Sequence, residues 1–161
     1  MKHLFSLGAL AMACFFIMGS NCSKSGTTAC VGVEPAAEND SLLAFIAKNS
    51  ITALKHSSGI YYQVLKTGTG STPTATSNVR VQYTGRLLNG NVFDGNSSPG
   101  GVSFNLSGVI QGWTIGVPLI SSGGIIRLII PSKYAYGCTG SGGSIPANAP
   151  LDFTISLLAV F

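Results

Sequence analysis

A chain of 161 residues that gives up roughly its first twenty to a targeting segment has room for one ordinary domain. Its nine Lys and Arg residues are scattered and form no run that would track a phosphate backbone, so the formal charge of +4 excludes a nucleic-acid partner. With 21 glycines and β-branched and aromatic residues in short clusters, the composition favours a turn-rich sheet over a helical bundle.

Lys2 and His3, the apolar stretch Leu4 to Met18 and the small polar residues after it read as a signal peptide over residues 1–21. The stretch is short for a membrane span, which needs about 20 apolar residues. Cys22, followed by Ser23-Lys24-Ser25-Gly26, resembles the lipidated cysteine of a bacterial lipoprotein signal. This implies a membrane partner reached through a lipid anchor and an exported, periplasmic or outer-membrane-attached protein, with plain cleavage as the alternative. Residues 22–38 are Ser, Thr, Gly, Ala and Pro with scattered charge, the makeup of a flexible tether. Cys14 leaves with the signal peptide, so Cys30 and Cys138 remain as a candidate disulfide in an oxidising compartment, or as two separate thiols.

Asp40 or Ser41 is a candidate helix cap, and Leu42, Phe45 and Ile46 share one helical face, which predicts a short amphipathic helix over 41–48. That helix packs on the domain edge or binds a partner, and 39–58 reads as helix plus linker. A domain over 59–161 follows. Ile60, Tyr62 and Val64 alternate with Tyr61, Gln63 and Leu65 as a first strand, and Val79 to Leu87 as a second. Asn89-Gly90 is a strong hairpin signal that returns the chain through Val92, Phe93 and Asp94. Val102, Phe104 and Leu106 alternate again, and Val109, Ile110, Trp113 and Val117 fit a helical turn that Pro118 keeps short. Ile125 to Ile130 reads as a central strand and Leu151 to Leu157 as a last one. Between them, residues 131–150 form a Gly- and Pro-rich loop of a length that compact domains keep for a function. Five or so antiparallel strands on one short helix make an α+β architecture.

Several chemistries lack their residues. His56 is the only histidine beyond the signal segment, too few for a zinc site, and no motif joins it to a Ser or Cys nucleophile. Gly68-Thr69-Gly70 lacks the Gly-Lys-Ser/Thr of a phosphate loop. Paired carboxylates would rest on Asp94 and Asp152, and Asp152 lies in the outward phase of its strand. What is concentrated instead is aromatic and aliphatic, with Asp94 as the one acid among it.

Val81-Gln82-Tyr83-Thr84-Gly85, Gly90-Asn91-Val92-Phe93-Asp94, Val109-Ile110-Gln111-Gly112-Trp113, Tyr134-Ala135-Tyr136-Gly137, Ile145-Pro146-Ala147-Asn148 and Leu151-Asp152-Phe153 occur in one register. Together they resemble the FKBP-type peptidyl-prolyl cis-trans isomerases over about residues 59 to 161. The resemblance implies a five- or six-stranded antiparallel half-barrel wrapped around one short helix, with the helix over 41–48 as an amino-terminal addition. It implies rotation of X-Pro bonds in proline-containing polypeptides with no cofactor. The residue inventory offers no metal site, and the chain is expected to be a monomer, with a weak dimer as the alternative. Tyr83, Phe93, Asp94 and Tyr136 take the catalytic positions; Phe104, Val109, Ile110, Trp113, Ile145 and Phe153 take the substrate-binding ones. A macrolide inhibitor would enter the same pocket. Val102, Gly108, Ile120 and Ser144 depart from the usual residues at the rim, which alters peptide preference and macrolide affinity. The alternative within the same fold is a catalytically weak peptide-binding or chaperone module.

Overall fold

The structure, a computed structural model, describes residues 30–161; the signal segment 1–21, Cys22 and the tether up to residue 29 lie outside the described residues. The first helix, α1, spans Pro35–Lys48 and so begins earlier than the expected residue 41, taking in residues 35–38 assigned to the tether. Pro35 stands at a first-turn position, where its fixed φ suits a helix and its missing N–H costs nothing. Ala36 and Ala37 are strong helix formers, and Glu38 complements the dipole in the first turn. Ser41 does not cap: its hydroxyl donates to the Glu38 carbonyl inside the helix at 2.7 Å.

Seven antiparallel strands form one sheet: β1 (Leu54–Lys55), β2 (Tyr61–Lys66), β3 (Asn78–Leu87), β4 (Val92–Asn96), β5 (Val102–Asn105), β6 (Ile125–Ile130) and β7 (Leu151–Val160). Their order is β1-β2-β6-β7-β3-β4, with β5 also on β3. The count exceeds the expected five or six because β1, which lies before residue 59, adds a two-residue edge to β2. The return from the Asn89-Gly90 hairpin is also divided: β4 pairs with Tyr83–Arg86 of β3, and β5 with Asn78–Val81.

On the concave face lies the short helix α2 (Gln111–Gly116). A Cβ on Gly112 would stand 2.5 Å from Cγ2 of Ile130, and one on Gly116 2.5 Å from Cδ1 of Leu128, so the two glycines let the helix lie directly on β6. Val109 and Ile110 stay extended ahead of it, and the Ile110 carbonyl accepts from Trp113 N at 2.9 Å. Beyond Gly116 the chain tightens into a 3₁₀ turn over Val117–Leu119, as a proline at 118 requires.

The convex face is covered by α1, whose Leu42 and Ile46 join Ile51, Tyr61 and Ile129 in a second, smaller core. Covered on both faces, β6 is apolar at every position but Arg127 rather than alternating. The same cover explains Asp152, which takes the outward phase yet is buried: Arg127 donates Nε and Nη2 to its two oxygens, each at 2.8 Å. Among the described residues no helix is long and apolar enough to cross a membrane.

Candidate functional site

Trp113 is placed by α2 with its ring 4% exposed, at the bottom of an open cavity of about 300 Å³. Three rings from the sheet stand against it edge-on: Tyr83 with centroids 5.1 Å apart and planes at 82°, Phe153 at 5.4 Å and 88°, and Phe104 at 5.7 Å and 89°. Edge-to-face packing is the arrangement that aromatic quadrupoles favour, and it stands the rings up as walls around the indole. The indole N–H is buried without an acceptor among the described residues, so no polar partner lies beneath the floor.

A missing side chain sets one wall. Gly85 on β3 faces Asp94 across β4 and Phe153 across β7. A Cβ there would lie 2.6 Å from both Phe153 Cε1 and Phe93 Cζ, so only glycine lets these rings close over the strand at 5.5 Å and 88°. Phe93 thereby backs Phe153 rather than lining the cavity itself. Phe93 is half-buried against the main core, and Ile145 is buried within it.

The polar groups sit at the rim. Tyr83 donates its hydroxyl to Oδ2 of Asp94 at 2.6 Å, and the Gly95 N–H donates to Oδ1 at 2.8 Å. Among the described residues Asp94 thus has two neutral donors and no ion-pair partner. Burial, and then the Asp94 hydrogen bond, push the Tyr83 hydroxyl far above the ordinary phenol range. Across the opening, burial and then the Asp94 charge push Tyr136 up as well. The Tyr136 hydroxyl and the Ile110 N–H make no hydrogen bond among the described residues. They leave two donors over an apolar floor.

Of the candidate residues, the cavity brings together Tyr83, Asp94, Phe104, Val109, Ile110, Trp113, Tyr136 and Phe153, and leaves Phe93 and Ile145 behind the lining. It adds Gly108, which had been singled out only as a departure at the rim and which opens the edge by having no side chain. Cys30 and Cys138 form a disulfide, with Cα atoms 5.5 Å apart, that joins the stretch before α1 to the turn following Tyr136.

Residues 69–158 match the family model described as FKBP-type peptidyl-prolyl cis-trans isomerase. The chain is 50% identical over 104 residues to the FKBP-type peptidyl-prolyl cis-trans isomerase FkpA of Aeromonas hydrophila, an alignment covering 64% of the chain and 38% of that protein. It is 45% identical over 105 residues to FkpA of Escherichia coli K12, covering 65% and 38%. The chain therefore spans less than half the length of these curated relatives. A crystal structure of a peptidyl-prolyl cis-trans isomerase from Pseudomonas syringae pv. tomato superimposes with a TM-score of 0.67 at 35% identity, covering 81% of this chain and 98% of that one.

Proposed function

Because the chain belongs to the FKBP-type peptidyl-prolyl cis-trans isomerase family, we propose that it rotates X-Pro peptide bonds of exported polypeptides in the cavity above Trp113. The observation that carries this reading is the indole floor with three rings standing perpendicular to it. Amide resonance opposes the rotation by about 18 to 20 kcal/mol, and an unaided X-Pro bond takes tens to hundreds of seconds. The twisted transition state has lost that resonance and is less polar than either planar isomer. A water-poor aromatic cup therefore binds it better than the ground state, and only such differential binding accelerates the step.

In this reading the proline ring rests on Trp113 between Phe104 and Phe153, with Val109 at the edge. Tyr136 Oη and the Ile110 N–H donate to the substrate carbonyls on either side of the proline. Asp94 holds the Tyr83 hydroxyl so that the wall keeps its place, and Phe93 and Ile145 support the lining from behind. No group forms a covalent bond and no proton changes hands. A macrolide that fills the cup would compete with the peptide.

A protease-coupled assay on a Leu-Pro tetrapeptide tests the reading, with the expectation that Trp113→Ala combined with Phe93→Ala abolishes the acceleration. An unchanged rate would sink it, and peptide binding without acceleration would support a peptide-holding module instead. The context we propose is export under the signal segment 1–21, attachment through lipid on Cys22 and a monomeric domain over 59–161. Mass spectrometry of the mature amino terminus checks the lipid.

A further inference from the structure

The wall that carries Tyr136 is built from a loop outside the sheet. Residues 131–150 contain no strand of the sheet, and Gly137, Gly140, Gly142 and Gly143 all take positive φ, where glycine alone is unstrained. Its internal backbone hydrogen bonds close turns and a small bridge, among them Ala135 N to Ser132 O, Gly140 N to Tyr136 O and Asn148 N to Gly137 O. Tyr136 itself is 37% exposed, and among the described residues its hydroxyl makes no hydrogen bond.

Tyr134, Ala135, Ile145 and Ala149 pack the loop against the main core. Among the described residues, its hydrogen-bonded and covalent attachments from outside come from a single short stretch, residues 30–38. Glu38, buried in the first turn of α1, accepts from the Ser132 N–H at 2.8 Å and from the Ser132 hydroxyl at 2.5 Å. Glu34 accepts from Lys133 Nζ at 2.7 and 2.8 Å. Cys30 is bonded to Cys138, and the Val31 carbonyl accepts a long hydrogen bond from Asn148 at 3.4 Å. Ser132, Lys133 and Cys138 bracket Tyr136 within a few residues on either side.

Docking of α1 does not need these contacts. Leu42 and Ile46 already pack it against Tyr61 and Ile129. A buried carboxylate is costly unless it is well hydrogen-bonded, and an apolar side chain at position 38 would seat a helix with no such cost. Both hydrogen bonds of this carboxylate go instead to the residue where β6 ends and the Tyr136 loop begins.

We propose that the stretch Cys30–Glu38 is a strap that fixes the Tyr136 side of the pocket, with Glu38 as its positioning residue and the disulfide as a second fastening. The proposal rests on the isomerase reading of the pocket. Loosening the strap lets Tyr136 wander from the substrate carbonyl, so it weakens peptide capture more than turnover of peptide already bound.

The test compares wild type, Glu38→Ala, Glu38→Gln and Cys30→Ser in the full chain, by steady-state isomerisation and by amide hydrogen exchange. Glu38→Ala is expected to raise KM about two-fold to three-fold with kcat nearly unchanged, and Cys30→Ser or reduction of wild type to act in the same direction. Glu38→Gln keeps an acceptor for Ser132 and is expected to recover most of the loss. Exchange should quicken in residues 132–149 and stay unchanged in β3, β6 and β7. If Glu38→Ala does not fold, reduced wild type and Cys30→Ser carry the same test. An inactive wild type overturns the isomerase reading, and with it a catalytic role for the strap. An active wild type whose variants keep its KM, or lose exchange protection evenly over the whole sheet, overturns the strap alone.

Discussion

Asp94 and Asp152 lie on opposite faces of one sheet, as the register shows: Gly85 of β3 stands opposite Asp94 and Phe153, whereas the next residue, Arg86, stands opposite Asp152. The outer acid is under α1 and has both oxygens taken by the Arg127 fork, so its charge is cancelled where it is buried. The inner acid receives a phenol and an amide, which orient it without cancelling its charge. The packing around them differs in the same sense. On the convex face Leu42 and Ile46 of α1 pack on Ile51, Tyr61 and Ile129, whereas on the concave face the aliphatic core is topped by rings that meet edge to face around an open cup. One face carries a docked helix and a paired acid, the other a ring-lined cup whose acid has no ion-pair partner among the described residues.

The largest expected effect tests whether that division of labour is real. Trp113→Ala should lower kcat/KM about 100-fold, since it removes the floor on which the proline ring is desolvated. Leu42→Ala on the other face should cost about 2 to 5 kcal/mol of stability while the folded protein keeps its kcat/KM. Urea titrations alongside the tetrapeptide assay separate the two readouts. If Leu42→Ala harms catalysis as much as Trp113→Ala does, the faces are not independent and the comparison fails.

The two acids give a smaller and sharper contrast. Arg127→Ala strands a buried carboxylate and should cost about 2 kcal/mol, less than for a fully enclosed pair because the Arg127 side chain is 25% exposed. It should leave kcat/KM alone. Asp94→Asn preserves the shape and one acceptor, so stability should move by less than about 1 kcal/mol while kcat/KM falls about ten-fold. Reversed outcomes, with Asp94→Asn the less stable protein and Arg127→Ala the poorer enzyme, would mean that the partnering of these acids has been misjudged.

Much of this was open to sequence reading because it is local. The β2, β3, β6 and β7 runs carry their own alternation or apolar continuity, Asn89-Gly90 announces its hairpin, and the motif spacing brings Tyr83, Asp94, Trp113 and Tyr136 to one place. What escaped depends on partners far along the chain. The first turn of α1 looks like linker because its composition is Pro, Ala and Glu, and its reason for being ordered is a carboxylate bonded to Ser132, 94 residues later. Asp152 reads as a solvent-facing strand residue until α1 is laid over it. Phe93 and Ile145 read as lining because spacing gives proximity but not depth. That Phe93 stands behind Phe153 follows from Gly85, whose meaning appears only when two other strands are beside it.

The smallest expected effect is the absence of one, and it bears on the inner face alone. The titratable groups lining the cup are Tyr83, Asp94 and Tyr136. Both tyrosines are held above the ordinary phenol value of about 10, so they remain neutral donors throughout the range in which the protein is assayed. With folded values raised, their protonated forms contribute stability that is present below about pH 10 and lost as pH rises through the folded values. Isomerisation by desolvation should therefore run flat in kcat/KM from about pH 6 to about pH 9, with stability declining only in more alkaline solution. Tyr136→Phe should lower the plateau about three-fold without tilting it, since it removes one donor to the substrate carbonyl and no acid or base. A bell-shaped profile in wild type, flattened by Tyr136→Phe or Asp94→Asn, would mean that a proton moves during the reaction. The cup would then be working as acid–base machinery, and its difference from the outer face would be one of reactive groups rather than of packing.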